Sequence, residues 1–334
     1  MSGSAILSVR DLKISVRTDE GVAQILDHVN IDVAPGRIVG VAGESGCGKS
    51  TLIRAVLNIL PRQTRIESGE ILFNGEDLLK LSARDMQQRI RGRAIGFIPQ
   101  DPYLALNPVF KVGTQLMEIL RWHGLPGEAA ATGSGADQRT RHRNHLIELL
   151  QAVQVPDPEE ALERYPHQFS GGQRQRVLIA GALACQPELV LADEPTTALD
   201  VTTQLQILKL LKELAERFNV AMLFVTHDFG VIAQLCDSVS VMYAGQGMES
   251  GPTRTIINQP LHPYSQMLMR CHPDRFTDLE GIPGQVPSAL NPPDGCRFHP
   301  RCPLARPECR QKRPRVVARG EQKVACVLQS EEVQ

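Results

Sequence analysis

At 334 residues, with 42% hydrophobic residues, 22% charged residues and a net charge of −1, the chain has a globular composition and the length of two or three compact units. Neither sign of charge dominates enough to suggest a nucleic-acid partner, so charge says little about partners. No apolar stretch approaches the roughly 18 residues of a membrane span, and Met1 to Glu20 lacks the apolar run of a secretory signal, so the chain is expected in the cytosol, with any membrane role supplied by docking.

In chain order, Ile6 to Val33 alternates apolar and polar residues, which predicts paired strands ending at the turn Ala34-Pro35-Gly36. Ile38 to Ala42 predicts a buried strand that runs into a glycine-rich loop from Gly43, followed by a helix over Leu52 to Leu60. Strand, glycine loop and helix is the order a phosphate site needs, because a helix N-terminus presents N–H groups to an anion. Two more apolar runs, Leu189 to Ala192 and Val220 to Val225, end in Asp193-Glu194 and Thr226-His227-Asp228. Three buried strands that each end in polar chemistry predict a doubly wound α/β core with its site at the strand carboxyl ends. Between the first two strands, Asp101 to His167 reads as a mostly helical insertion with a flexible Gly- and Ala-rich loop over Gly124 to Asp137. The basic run Arg139 to His145 is read as a solvated helix face rather than a nucleic-acid site. After about Gly251, Pro and Gly thicken and periodicity fades, and no internal repeat is visible.

Eight cysteines in a reducing compartment argue against a disulfide framework. Cys47, Cys185, Cys236 and Cys271 are scattered, whereas Cys296, Cys302, Cys309 and Cys326 fall together near the end. Such a segment has few apolar residues with which to fold, and one metal centre would supply the missing constraint. The intervals lack the paired knuckles of structural zinc sites, which favours a [4Fe-4S] cluster over zinc with His299 as substitute ligand, or over free thiols.

The stretch Gly43-Glu44-Ser45-Gly46-Cys47-Gly48-Lys49-Ser50, with Thr51 after it, matches G-x-x-x-x-G-K-[ST]. Its glycines let the backbone curl so that N–H groups point at a phosphate, Lys49 neutralises phosphate oxygens, and the Ser50 hydroxyl suits Mg²⁺. Cys47 occupies a free position, as a small residue that fits or as a thiol whose pKa Lys49 lowers. Phe169-Ser170-Gly171-Gly172-Gln173 lies in register between this loop and the strand ending in Asp193-Glu194. Together these residues resemble the ATP-binding cassette (ABC) ATPases, whose signature reads Leu-Ser-Gly-Gly-Gln, with Phe169 as a conservative departure.

That resemblance implies a RecA-like P-loop core, ATP and Mg²⁺ as cofactors, and a second cassette whose nucleotide is closed upon by Ser170, Gly171, Gly172 and Gln173. It makes Asp193 a Mg²⁺ residue acting through water, Glu194 the general base, Gln100 the sensor of Mg²⁺ and γ-phosphate, Asp200 a link between the paired sites, and His227 the switch histidine that contacts γ-phosphate. No Phe, Tyr or Trp falls between Asp11 and Gly40, so the family's adenine-stacking aromatic is missing, and Arg17, Ala23 and Ile25 remain open as base contacts.

Gln100-Asp101-Pro102 with Leu106-Asn107-Pro108, Leu261-His262-Pro263-Tyr264-Ser265, Leu279 to Pro283 and Gly295-Cys296 to Pro303 are similar to segments of dipeptide and oligopeptide importer ATPases. The resemblance implies import of peptides or another small solute, such as a nickel complex, an opine or a sugar. It also implies a peripheral place for this chain at the cytoplasmic face of the inner membrane, a partner ATPase in a heterodimer, two transmembrane permease subunits, an extracytoplasmic binding protein, and a [4Fe-4S] cluster in the tail. Residues 1–100 and 169–250 are expected to form the core, 101–168 the helical subdomain and 251–334 the cysteine-bearing extension. Two rivals are a soluble ABC ATPase of nucleic-acid metabolism, whose tandem cassettes or long coiled coil are not seen, and a redox or nucleic-acid-binding protein in which the cysteine module is primary and ATP regulatory.

Overall fold

The computed structural model describes residues 5–126, 135–270 and 281–330. Residues 127–134 of the expected loop, Cys271 and the start of the Leu279 to Pro283 segment lie outside them. In chain order the strands are β1 Leu7–Thr18, β2 Gly21–Val33, β3 Ile38–Ala42, β4 Thr64–Phe73, β5 Glu76–Asp77, β6 Ile95–Ile98, β7 Leu189–Asp193, β8 Ala221–Thr226, β9 Ser238–Tyr243, β10 Gln246–Pro252, β11 Val317–Arg319 and β12 Gln322–Val324.

The chain divides into two compact units, residues 1–33, 38–79 and 224–334 forming the first and 34–37 with 80–223 the second. In the first unit, β1 pairs antiparallel with β2 and β4, and β4 with β5. Strand β3 runs parallel to β9, which continues antiparallel through β10 and β12 to β11. In the second unit β6 and β7 form a parallel pair. Every residue of β3, β7 and β8 is buried, as expected of parallel strands covered on both faces, which read as continuous apolar runs.

The helix after the glycine loop spans Lys49–Val56 rather than Leu52 to Leu60. It starts at once because Gly48 turns left-handed at its N-terminus, and Asn58 at φ 51° takes the chain out of it. In the second unit, Ala136 and Asp137 open the helix Ala136–Ala152 instead of closing a loop. The basic run lies on this helix, and its arginines, Thr140 and Asn144 meet solvent, but its histidines turn inward. His142 is 2% exposed and shares a buried face with Leu146, Leu149 and Leu150, while His145 Nε2 lies 2.9 Å from the Ala184 carbonyl oxygen.

Candidate functional site

In the first unit the glycine loop leaves β3 where backbones crowd. A Cβ at Gly43 would lie 2.1 Å from the Met242 carbonyl oxygen, and one at Gly48, whose φ is +100°, would lie 2.5 Å from Leu26. Only glycine fits both the contacts and, at Gly48, the left-handed turn. Lys49 is 5% exposed, and its Nζ folds back to donate to the carbonyls of Gly43 at 2.8 Å and Glu44 at 3.2 Å. Cys47 is buried beneath it, and burial pushes its thiol up despite Lys49 nearby. The small-residue reading therefore holds, and activation of the thiol does not. Along the hairpin, Ala23 is buried and Arg17 exposed opposite Val22, itself exposed and apolar.

His227 follows β8 and is exposed, so it is not a buried structural histidine. Beside it Asp228 caps the helix Phe229–Leu235, accepting from the backbone N–H of Gly230 at 2.7 Å.

In the second unit, Asp193 ends β7 and is buried. Glu194 follows with φ +45°, a left-handed conformation uncommon for a non-glycine residue and concentrated at functional sites. Gln100, just beyond β6, donates through Nε2 to Glu194 Oε2 at 3.3 Å, and Thr197 donates to the same oxygen at 3.1 Å. Sequence reasoning missed Thr197; its position three residues after Glu194, inside the turn, was the available signal.

The signature opens the helix Gly171–Leu183. Ser170 Oγ accepts from the Gln173 N–H at 3.2 Å, and Gln173 Oε1 accepts from the Ser170 N–H at 3.0 Å. This reciprocal box satisfies two otherwise unpaired donors and fixes the helix start. Phe169 is buried and anchors the turn. A Cβ at Gly172 would lie 2.6 Å from Thr203 Cγ2, so the signature abuts the start of the helix Val201–Phe218. Asp200 caps that second helix, accepting from the Thr203 N–H at 3.0 Å, and this bond holds its carboxyl below the usual range. Capping is thus a local role that Asp200 already fills.

Tyr103, Leu104, Val109 and Phe110 are exposed within the Gln-Asp-Pro segment, and the Arg174 guanidinium lies 4.3 Å over the Tyr103 ring. The segment is ordered by Asp101, which accepts from the Tyr103 N–H at 2.7 Å, and by Gln115, which bonds Asn107.

In the first unit, Cys296, Cys302, Cys309 and Cys326 line one small cavity with His262 and His299. All four thiols are free, and burial, together with neighbouring sulfurs, pushes Cys296 up to about 11. Among the described residues no three His, Cys, Asp or Glu side chains are arranged to hold one metal ion. The segment is anchored by side chains that composition did not single out. Phe298 packs edge-on against Tyr243 at 5.1 Å and tilted against Tyr264 at 5.2 Å. Arg297 donates to the Ala244 carbonyl and sits 3.6 Å from Asp27, and Arg301 pairs with Glu44. Among the described residues no helix is long and apolar enough to cross a membrane.

Comparison with known proteins gives the family of the chain. Residues 26–197 match the family model for the ABC transporter, and residues 248–309 match that for the oligopeptide/dipeptide transporter, C-terminal region. The chain is 45% identical over 314 residues to the probable peptide ABC transporter ATP-binding protein y4tR of Sinorhizobium fredii, covering 92% of this chain and 90% of that one. It is 42% identical over 316 residues to the oligopeptide transport ATP-binding protein OppD of Salmonella typhimurium, covering 93% and 90%. Among solved structures, the post-hydrolysis dimer of the ATP-binding cassette MJ0796 bound to ADP and Pi aligns with a TM-score of 0.62 at 27% identity, over 74% of this chain and 99% of that one.

Proposed function

This chain belongs to the ABC transporter family as an ATPase subunit, and from that membership we propose that it drives uptake of di- and oligopeptides from the cytoplasmic face of a membrane. The observation that carries the substrate class is the oligopeptide/dipeptide transporter C-terminal region on the same chain as the cassette.

Lys49 and the loop N–H groups hold the phosphates of ATP. Ser50, Asp193 and Gln100 offer the hard oxygen donors that Mg²⁺ prefers, and the ion, when bound, neutralises charge on phosphate oxygens. Glu194 takes the proton of the attacking water, and His227 contacts the γ-phosphate. The bonds from Gln100 and Thr197 to Glu194 Oε2 support this role, because they fix the orientation of the carboxylate. Ser170, Gly171, Gly172 and Gln173 face the nucleotide of a second, different cassette, with Asp200 linking the paired sites. The exposed side chains of Tyr103, Leu104, Val109 and Phe110 support docking to one of two permeases, which work with an extracytoplasmic binding protein.

For the tail, the four thiols around one cavity support a [4Fe-4S] cluster on Cys296, Cys302, Cys309 and Cys326, a donor set of three buried thiols and the half-buried Cys302 that suits thiolate-bound iron. Its role is structural or redox-sensing rather than catalytic, since hydrolysis needs no electron carrier. Anaerobically purified protein should be brown and contain iron, and colourless, iron-free protein would reject the cluster.

Purification from membranes tests the assembly. Mass spectrometry of the intact complex should find this chain with a different cassette and two permeases. A soluble complex with nucleic acid would contradict the transport reading.

A further inference from the structure

We propose that Arg301, in the C-terminal region, is a positioning residue for the phosphate loop: it holds Glu44 so that the nucleotide site is pre-formed before ATP arrives. The inference rests on the reading of Gly43 to Ser50 as that site.

Glu44 occupies a position that the loop motif leaves free, so phosphate binding by itself calls for no carboxylate there. Both of its handles are nonetheless held by residues more than 200 positions away. Its side chain accepts from Arg301 Nη1 at 3.0 and 3.2 Å, and its backbone N–H donates to the Tyr264 hydroxyl at 3.1 Å. Arg301 is itself fixed. Its side chain is 5% exposed, Nε donates to the Pro283 carbonyl at 2.9 Å, Nη2 to the Ile282 carbonyl at 2.8 Å, and Nη1 also to the Tyr243 hydroxyl at 3.1 Å. Tyr243 and Tyr264 are fully buried and in ring contact at 4.6 Å.

The Glu44 carbonyl accepts from Lys49 Nζ, so a loop pinned at Glu44 also defines where the ammonium rests. A loop already held in shape has less freedom to lose on binding. A planar, permanently charged fork holds it while bonding several oxygens at once, which lysine does not match.

The test measures the MgATP dissociation constant, the steady-state rate and thermal unfolding for the full chain in its complex. Four variants are compared with the wild type: Lys49→Ala, Glu44→Gln, Arg301→Lys and the Glu44→Gln/Arg301→Lys double. Glu44→Gln and Arg301→Lys should each weaken MgATP by about threefold to tenfold, and the double should be no weaker than the worse single, as for residues acting through one contact. The saturated rate of Arg301→Lys, which lies outside the loop, should stay within about twofold of wild type, because the contact acts on binding rather than on the transition state. Unchanged affinity in both singles, with or without a lower melting temperature, would overturn the proposal, as would additive losses in the double. Lys49→Ala separates this from failure of the underlying reading: if Lys49→Ala binds MgATP as tightly as wild type, it is the nucleotide-site assignment that falls.

Discussion

Gln100 and Glu194, 94 residues apart, meet through a 3.3 Å hydrogen bond from the glutamine amide to a carboxylate oxygen. The glutamine stands just beyond the buried strand β6, and Glu194 follows the end of its parallel neighbour β7, so strand register sets the pairing. With Thr197 on the same oxygen, the carboxylate is held from two directions and its orientation is fixed.

Glu194→Gln should therefore lower the hydrolytic rate by about 10² to 10⁴, the usual worth of a positioned general base. MgATP binding should survive, because the phosphate loop is untouched. Single-turnover hydrolysis alongside nucleotide binding checks this, and an undiminished rate would remove Glu194 from the role.

Ser170→Ala should cost about 1 kcal/mol of stability through loss of the helix cap alone. Ser170→Asp keeps a capping oxygen and should recover most of that loss. If Ser170 also meets the nucleotide of a second cassette, Ser170→Asp will remain impaired in ATP-driven dimerisation because its carboxylate repels the phosphate. Recovery of both properties together would reduce Ser170 to a cap.

Phe298→Ala should destabilise the protein by about 3–5 kcal/mol, as expected for emptying a fully buried aromatic position. Loss of its ring contacts with Tyr243 and Tyr264 should expose the cysteines as well. Denaturant unfolding and thiol labelling would read the two effects, and unchanged labelling would mean the tail holds itself together without Phe298.

Asp27 supplies a pH dependence. Burial alone would raise its pKa, but the hydrogen bond from Gln246 and the charges of Arg297 and Arg313 outweigh it and leave the carboxyl below its usual value. A carboxylate with a depressed folded pKa stabilises the protein above the unfolded pKa, near 4, and that contribution is lost as pH falls through the folded value. Asp27→Asn should be less stable than wild type at pH 7, with the gap closing below about pH 4. A gap that stays constant with pH would show that charge on Asp27 is not what matters.

Much of the fold was legible because β3, β7 and β8 are continuous apolar runs flanked by punctuating glycine or acidic residues, and because the loop and signature are local strings with local geometry. The start of the phosphate helix was misjudged because a glycine loop flows into its helix without a separate cap. The buried face of Ala136–Ala152 was readable from His142, Leu146, Leu149 and Leu150 at helical spacing, but the surrounding arginines drew the reading toward solvent. What no local pattern carries is pairing across the chain. Arg301 with Glu44, Arg297 with Asp27, and Phe298 against Tyr243 and Tyr264 depend on where the fold returns a Pro-rich tail. That is why the tail was expected to need a metal for its constraint, although aromatic packing and two buried arginines also provide it.

The most direct test reconstitutes this chain with its membrane partners in proteoliposomes and follows a labelled di- or oligopeptide delivered by the binding protein. Uptake should require ATP, rise with peptide-loaded binding protein together with hydrolysis, and vanish with Lys49→Ala. ATP hydrolysis that proceeds in the same vesicles without moving any peptide, or peptide uptake that persists with Lys49→Ala, would contradict ATP-driven peptide import by this chain.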